Sequence, residues 1–352
     1  MIQTITGNPD YLQQFQHKNA TFMLAMSNTA TADIPGITQA GIPGMIHLTP
    51  ILDGEFIATG EVRSLPHIAE TPKGVPTPAL LTRAVHLLRP FAHIELLDLG
   101  LRAAPQGDDL TLHRFDMPPS GNIAQAANID AKAVFEKGFA FGKAYPLQDT
   151  YLILGESVPS GTTTATTTAL ALGYDAKDLF SSSFKIVPDT IRHETIEAAL
   201  SNIEEKRDLF EILGSVSDNM LIFNAGFILG VNGRFPLILA GGTQMAALLL
   251  VVNSIIQYMG TDYSAENLSL CTTKWVAEDV HSDIKALLEM LDFPVNAYYA
   301  DFDFSLSDHP ALKLYDQGEA KEGVGAGGAL MYGYLNGLST EEMTRQVEGF
   351  LG

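Results

Sequence analysis

Short apolar runs alternate with helical patterns along most of this chain, and this alternation restricts the fold more than any other feature of the sequence. The runs have the length and composition of strands buried on both faces. They are residues 21–27, 94–99, 151–154, 236–240, 268–273 and 295–299. The clearest helical patterns cover residues 131–145, 163–172, 191–213, 245–258 and 279–291. This order predicts an α/β fold with a mostly parallel sheet, helices on both faces, and ligands beyond the carboxyl ends of the strands.

Two further segments complete this outline. Residues 34–78 are rich in Pro and Gly and show few periodic runs, which predicts an irregular segment attached to the surface. Near the end of the chain, Ser339 is followed three positions later by Glu342, the pattern of a capping box. The last helix is therefore expected to begin there.

The run at 151–154 opens into a loop, GESVPSGTTTA, that is typical of an anion-binding helix start. Backbone N–H groups at such a start, with hydroxyls beside them, form a site for phosphate. The candidate phosphate- and ribose-binding residues are Gly155, Ser157, Ser160, Gly161, Thr162 and Thr163. Glu156 would repel a phosphate unless it does chemistry or binds a sugar hydroxyl, so the combination hints at a phosphorylated sugar. The plain alternative is a strand end with a tight turn.

A second loop of this kind follows the apolar run 236–240. It consists of Gly241, Gly242, Thr243 and Gln244. Because the carboxyl ends of parallel strands lie at one edge of the sheet, this loop is expected beside the first.

Two better-known phosphate motifs do not fit the chain. Five residues separate Gly155 from Gly161 and no lysine follows, which excludes a Walker loop. Residues 323–328, GVGAGG, match the dinucleotide pattern, but the approach to them is charged and too little chain follows for a βαβ unit. The chain is therefore predicted to be neither a P-loop NTPase nor a dinucleotide-binding protein.

Composition limits the partners. Of 352 residues, 46% are hydrophobic and 18% charged, which is typical of a folded protein. The formal net charge of −20 argues against nucleic acid or an anionic membrane as a partner. Any phosphate bound by such a chain is expected to be held by local amides and hydroxyls.

The single cysteine, Cys271, excludes an internal disulfide framework and every site with several cysteines. The chain shows no apolar signal segment in residues 1–20, so a cytoplasmic location is expected. Residues 235–261 carry no charge, yet a polar turn divides them and the apolar helix after it is shorter than the roughly 20 residues that cross a bilayer. A buried strand, loop and helix are predicted there.

Glu322 is the stronger acid–base candidate. It stands directly before small residues that include Gly323 and Gly325, where backbone and ligand come close. Partial shielding from water would raise the pKa of such a carboxyl and allow it to accept a proton. The histidines show no metal-ligand spacing, so no metal and no cofactor are predicted. Taken alone, Glu322 is also compatible with a structural role.

Combined, these motifs resemble the nicotinate-nucleotide:dimethylbenzimidazole phosphoribosyltransferase family of cobalamin biosynthesis. The resemblance rests on residues 155–165, GESVPSGTTTA, on 236–245, PLILAGGTQM, and on 321–328, KEGVGAGG, in this order. Residues 27–37, SNTATADIPGI, and 74–84, GVPTPALLTRA, are similar to the divergent branch of archaea and cyanobacteria.

The resemblance implies a Rossmann-like three-layer domain with a small helical lobe. We place the core at residues 21–319 and the smaller lobe at 1–20 and 320–352. The resemblance also implies a homodimer that transfers the phosphoribosyl group from nicotinate mononucleotide to a benzimidazole-type base. The glutamate of a Glu-Gly-x-Gly-Ala turn is the general base in that family, and residues 322–326 match the turn at every position, which assigns the role to Glu322. Glu156 is then expected to orient the ribose or the base.

This chain departs from the family in the loop at 160–162, in the turn at 240–244 and in the segment that binds the acceptor base. Two alternatives therefore stay open. One is a noncatalytic nucleotide-binding or sensor protein on the same fold. The other is a phosphoribosyltransferase or hydrolase that acts on another nucleotide.

Overall fold

The computed structural model describes residues 1–185 and 189–352. Its strands form one sheet. They are β1 Ile2–Thr6, β2 Ala20–Met26, β3 His93–Asp98, β4 Thr111–Arg114, β5 Tyr151–Ser157, β6 Leu237–Ala240, β7 Leu268–Thr273 and β8 Asn296–Ala300.

The strand order is β1-β8-β7-β6-β5-β2-β3-β4. Only β1, which pairs with β8, runs antiparallel in the described residues. The chain first builds the sheet outward from β2 through β3 to β4, and then in the opposite direction from β5 to β8. Between β2 and β5 the order reverses, which is the position where open α/β sheets bind their ligands.

The helices cover both faces of this sheet. They are α1 Thr49–Thr59, α2 Ala79–Leu88, α3 Ala131–Ala144, α4 Gly161–Ala171, α5 Asp189–Ser201, α6 Leu209–Val216, α7 Asn219–Val231, α8 Thr243–Met259, α9 Lys274–Ala277, α10 Ile284–Glu289, α11 Pro310–Lys313, α12 Ala326–Leu335 and α13 Thr340–Glu348. The predicted α/β fold with a mostly parallel sheet is thereby confirmed.

Two hydrophobic clusters separate the faces. On one face, which we call the α8 face, alternate strand residues such as Leu152 and Leu154 pack against α3, α4, α7 and α8. On the other, the α12 face, Tyr151 and Ile153 pack against α1, α2, α12 and α13. Successive residues of a strand point to opposite faces, so neighbouring residues at a strand end serve different sides of a site.

Three sequence predictions about these elements were wrong. The segment 34–78 contains α1, whose residues from Thr49 to Ile57 are buried. Residues 191–213 form two helices, because the Asp208 carboxylate accepts hydrogen bonds from the N–H groups of Phe210 and Glu211 and starts α6. The helix predicted over 279–291 begins only at Ile284, where Asp283 caps it.

Other local predictions are confirmed. The capping box exists: Ser339 Oγ accepts from the Glu342 N–H at 3.2 Å, and the Glu342 carboxylate accepts from the Ser339 N–H at 2.9 Å. Residues 235–261 contain β6 and α8, both buried for most of their length. None of the described helices has the length and apolar character that a bilayer crossing needs.

The division into a core at 21–319 and a smaller lobe at 1–20 and 320–352 stays a prediction. In the structure β1 pairs with β8 in the main sheet. Helix α12 contacts β6, β7 and β8.

Candidate functional site

A cleft lies beyond the carboxyl ends of β5 and β6, next to the reversal of strand order. It is bounded on the α8 face by the loops that start α4 and α8, and on the α12 face by residues from α1, from 69–78 and from 320–324. The loops that the sequence singled out therefore meet in one place.

The N-termini of α4 and α8 open into this cleft. Ser160, at the N-cap of α4, has a φ of 64°, in the left-handed region that few residues other than glycine adopt. It is 6% exposed, and its hydroxyl finds no hydrogen-bond partner among the described residues. An unpaired buried hydroxyl is costly, so a ligand that bonds to it would be favoured. Two helix N-termini beside it favour an anion.

Gly161 lies directly against its neighbour on α8. A Cβ atom on Gly161 would stand 2.0 Å from Oε1 of Gln244, which fills that space. The Gln244 amide nitrogen makes only a long contact of 3.4 Å with Glu156 Oε1. The Gln244 carboxamide therefore lies between the two helix starts, with an oxygen that has no partner among the described residues.

Glu156 is the second-to-last residue of β5, the strand that leads into the loop, and is 3% exposed. Burial, reinforced by the negative charges of Glu322 and Asp218, raises the pKa of Glu156 to about 8. The carboxyl is thus mostly protonated at neutral pH. In that form it donates a hydrogen bond instead of repelling a phosphate ester.

Glu322 faces the cleft from the opposite side and is held by four donors. Its Oε1 accepts from the N–H groups of Gly323 at 3.2 Å and Gly327 at 3.1 Å. Its Oε2 accepts from the Thr273 N–H at 2.8 Å and the Thr272 hydroxyl at 3.1 Å. Burial raises the pKa of Glu322 to about 7, although these donors favour the charged form. The carboxyl can therefore exchange a proton near neutral pH.

The turn that carries Glu322 is strained. Gly323, Val324 and Gly325 all have positive φ, and at 54° Val324 is an outlier for a β-branched residue. The Val324 N–H donates to the Glu156 carbonyl oxygen at 2.8 Å, and its own carbonyl accepts from the Thr82 hydroxyl at 2.8 Å. The first bond joins the Glu322 turn to β5 through the backbone, and the second anchors the turn to α2. Strain held in this way is typical of functional sites.

A third carboxyl, that of Asp53, enters the cleft from α1. Its two oxygens accept from the Thr77 hydroxyl at 2.7 Å and from the Ser157 hydroxyl at 2.7 Å. Apolar residues continue the same wall. They are Ile37, Val75, Pro76, Pro78 and Val324.

One lysine is buried in the cleft wall. Lys321 is 4% exposed and its Nζ donates to Asp279 Oδ2 at 2.6 Å. Burial alone would raise the pKa of Asp279, but the ion pair with Lys321 lowers it. The charge next to Glu322 is thereby balanced within the protein.

Most of the predicted site residues come together in the cleft. Those that line it are Glu156, Ser157, Ser160, Gly161, Thr162, Thr163, Gly242, Thr243, Gln244, Glu322 and Gly323. Gly155, Gly241 and Gly325 do not line it and lie behind the wall. A Cβ atom on Gly155 would meet Gly325 Cα at 2.9 Å, and one on Gly241 would meet Met245 Cγ at 2.7 Å.

Sequence reasoning missed Asp53, Thr77, Lys321 and Asp218. Asp218 is buried at the N-cap of α7, accepts from the Leu221 N–H and the Thr164 hydroxyl, and adds to the field on Glu156. An Asp directly before an apolar helix was a visible cap signal. Asp53 gave no comparable signal, because the helix that carries it was not recognised.

The chain is 34% identical over 334 residues to the UPF0284 protein of Saccharolobus solfataricus, which covers 94% of this chain and 92% of the relative. It is also 34% identical over 354 residues to the UPF0284 protein of Methanothermobacter thermautotrophicus, covering 98% and 96%. The chain belongs to the UPF0284 protein family. No protein-family model matches it.

Solved structures extend the comparison. The UPF0284 chain resembles the nicotinate-nucleotide-dimethylbenzimidazole phosphoribosyltransferase of Thermus thermophilus with a TM-score of 0.62, 16% identity, and coverage of 98% of this chain and 92% of that one. A second structure, of CobT from the same organism, gives a TM-score of 0.60 at 16% identity and covers 98% and 93%. These matches confirm the resemblance at the level of the fold, and the UPF0284 relatives agree with a divergent branch.

Proposed function

We propose that this protein is a phosphoribosyltransferase that moves the 5-phosphoribosyl group of nicotinate mononucleotide to a benzimidazole-type base and releases nicotinate. The observation that carries the proposal is the two-sided cleft. Helix N-termini and the unpaired Ser160 hydroxyl face it from one side, and Glu322 faces it from the other. The fold shared with a phosphoribosyltransferase supports the same assignment.

In this proposal the α8 face holds the donor. The phosphate binds at Ser160, Gly161, Thr162 and Thr163, beside the loop from Gly241 to Gln244. Glu156, protonated at neutral pH, donates a hydrogen bond to a ribose oxygen. The ribose carbon then lies between the two sides of the cleft.

The acceptor base lies against the apolar wall of the α12 face, next to Glu322. Its nitrogen forms a bond to the ribose C1′ while the C1′–pyridinium bond breaks and its electron pair stays on the nicotinate nitrogen. The proton of the acceptor N–H passes to Glu322. Of the four donors to Glu322 only the Thr272 hydroxyl can rotate its proton away, which frees the lone pair that the acceptor N–H needs.

The four hydrogen bonds to Glu322 also favour a second candidate function. In a nucleotide-binding or sensor protein, Glu322 would only close the turn before α12, as its bonds to Gly323 and Gly327 already do. One experiment separates the two candidate functions.

The test is incubation of the purified protein with nicotinate mononucleotide, with and without 5,6-dimethylbenzimidazole, with nicotinate and the new nucleotide measured by chromatography. Release that requires the base supports the transferase, and release without the base indicates a hydrolase. Donor binding without release indicates the binding protein. The absence of both donor binding and nicotinate release would overturn the proposal.

A further inference from the structure

The carboxyl of Asp53 is unusually placed for a structural group. It is 2% exposed, lies on a helix that borders the cleft, and its hydrogen bonds among the described residues come from two hydroxyls and not from a lysine or arginine. A buried carboxyl without a cation is costly, and an amide or apolar residue would fill the space at a lower free energy. Its presence calls for a role that needs two hydrogen-bond acceptors.

The acceptors of Asp53 fix the direction of the Ser157 hydroxyl. Each hydroxyl has one proton, and the proton of Ser157 is donated to Asp53 Oδ2 at 2.7 Å. Burial raises the pKa of Asp53 to about 6, so the carboxyl is mostly ionised at neutral pH and accepts this proton. The Ser157 oxygen therefore meets the cleft only as an acceptor.

The Thr77 hydroxyl is not available in the same way as an acceptor for a ligand. Its hydroxyl also donates to Asp53, but its oxygen already accepts from the Ala79 N–H at 3.2 Å. Ser157 lines the cleft at the end of β5, directly after Glu156 and three residues before Ser160. A ligand held by its phosphate at Ser160 would bring its sugar to Ser157.

We propose that Asp53 is a positioning residue that holds the Ser157 hydroxyl as a hydrogen-bond acceptor for a ribose hydroxyl of the phosphoribosyl donor. This rests on the proposed function for the identity of the donor. The role of Asp53 requires only a ligand with a ribose 5-phosphate group, and it does not depend on the leaving group or on the acceptor base.

The structure predicts what Asp53→Asn would do. The amide has one oxygen acceptor and one nitrogen donor, so only one of the two hydroxyls can still donate to it. Thr77 continues to donate, because its oxygen is occupied by the Ala79 N–H. Ser157 must then accept from the amide and turn its own proton into the cleft, where it no longer accepts from a sugar hydroxyl.

The test measures binding of ribose 5-phosphate, 2-deoxyribose 5-phosphate and 3-deoxyribose 5-phosphate by calorimetry. The wild-type protein is expected to bind one deoxy sugar about 3- to 10-fold more weakly than ribose 5-phosphate, the range of one net hydrogen bond. Ser157→Ala and Asp53→Asn should each abolish this discrimination, and the double variant should behave like either one. Asp262→Asn, at an exposed position, is the matched control.

Thr77→Val separates positioning from general support of the fold. It removes an equal hydrogen bond to Asp53 but leaves Ser157 donating, so the discrimination between sugars should persist. Equal loss of sugar discrimination in Thr77→Val and Ser157→Ala would overturn the proposal. So would equal binding of all three sugars by the wild-type protein, or no binding of ribose 5-phosphate by it. Sugar discrimination without any transfer from nicotinate mononucleotide would refute the proposed reaction and leave the role of Asp53 standing.

Discussion

Gly155 and Gly325 touch backbone to backbone behind the cleft, since a Cβ atom on Gly155 would stand 2.9 Å from the Gly325 Cα. Gly155 opens the Gly- and Thr-rich segment 155–165, and Gly325 belongs to the turn after Glu322. Their contact sets the distance between the two motifs. The glycines that the sequence suggested as ligand contacts instead let the two halves of the site approach each other.

We therefore predict that Gly325→Ala destabilises the protein more than a glycine substitution at an open position. A Cβ atom on Gly325 would lie 2.7 Å from the Phe22 ring, and its φ of 70° disfavours alanine. Overpacking costs about 1–3 kcal/mol and a left-handed alanine about 1–2 kcal/mol. Gly337→Ala is the control, with a φ of 84° and nothing within 4 Å. Equal free energies of unfolding for the two variants, measured in urea, would contradict the contact.

Glu322→Gln is expected to lower turnover by about 10²–10⁴, the usual contribution of general-base catalysis, while binding of nicotinate mononucleotide changes little. The wild-type rate should rise with pH through about 7, where Glu322 ionises, and the residual rate of the variant should not. The glutamine amide offers one oxygen to the four donors that now share the two oxygens of Glu322. The free energy of unfolding should therefore also fall by about 1–3 kcal/mol. Exposed Glu136→Gln is the control. Near wild-type turnover in Glu322→Gln would show that Glu322 is not the base.

The stability of the protein should fall as pH rises from about 5 to 8. Burial raises the pKa of Asp53 to about 6, of Glu322 to about 7 and of Glu156 to about 8. Between the ordinary carboxyl pKa and these values the folded protein binds more protons than the unfolded chain, so the free energy of unfolding decreases with pH. Glu156→Gln removes one titrating group and should flatten the decrease between pH 6 and 8. An unchanged slope in urea titrations of that variant would show that Glu156 is not the group responsible.

Ser160→Ala should weaken binding of nicotinate mononucleotide by about 10- to 100-fold, as expected for a lost hydrogen bond to a charged group. Its free energy of unfolding should not fall, because the hydroxyl has no partner among the described residues and its burial is costly. Ser201→Ala, exposed on α5, is the control for calorimetry. Unchanged donor affinity in Ser160→Ala would place the phosphate elsewhere.

A homodimer remains a prediction from the family resemblance, supported by the abundance of apolar residues. Sedimentation at micromolar concentration should give twice the 38.0 kDa chain mass. Because each chain carries a formal charge of −20, added salt should favour association by screening the repulsion. A single 38.0 kDa species at both low and moderate salt would exclude the dimer at that concentration.

Sequence reasoning succeeded where local patterns decide the outcome. The buried strands, the two Gly- and Thr-rich loops and the Ser339 capping box follow from neighbouring residues, and the structure confirms them. It failed for α1, α7 and α12, whose residues are buried on nearly every side and show no helical period. Asp53 was not recognised as a site residue because α1 was not predicted. Its partner Ser157 is 104 residues away, and only tertiary packing brings the two together.

The acid-bearing wall of the α12 face has one further consequence. Asp53, Thr77 and the apolar residues from Val75 to Pro78 all come from the stretch between β2 and β3, whereas the two Gly- and Thr-rich loops follow β5 and β6. Under the proposed function, most of the wall that recognises the acceptor is encoded in one continuous piece of the gene, and this piece reaches the donor only through the contact of Asp53 with Ser157. Homologues can therefore diverge in the base they accept, through mutations confined to that piece, while inheriting the donor loops unchanged.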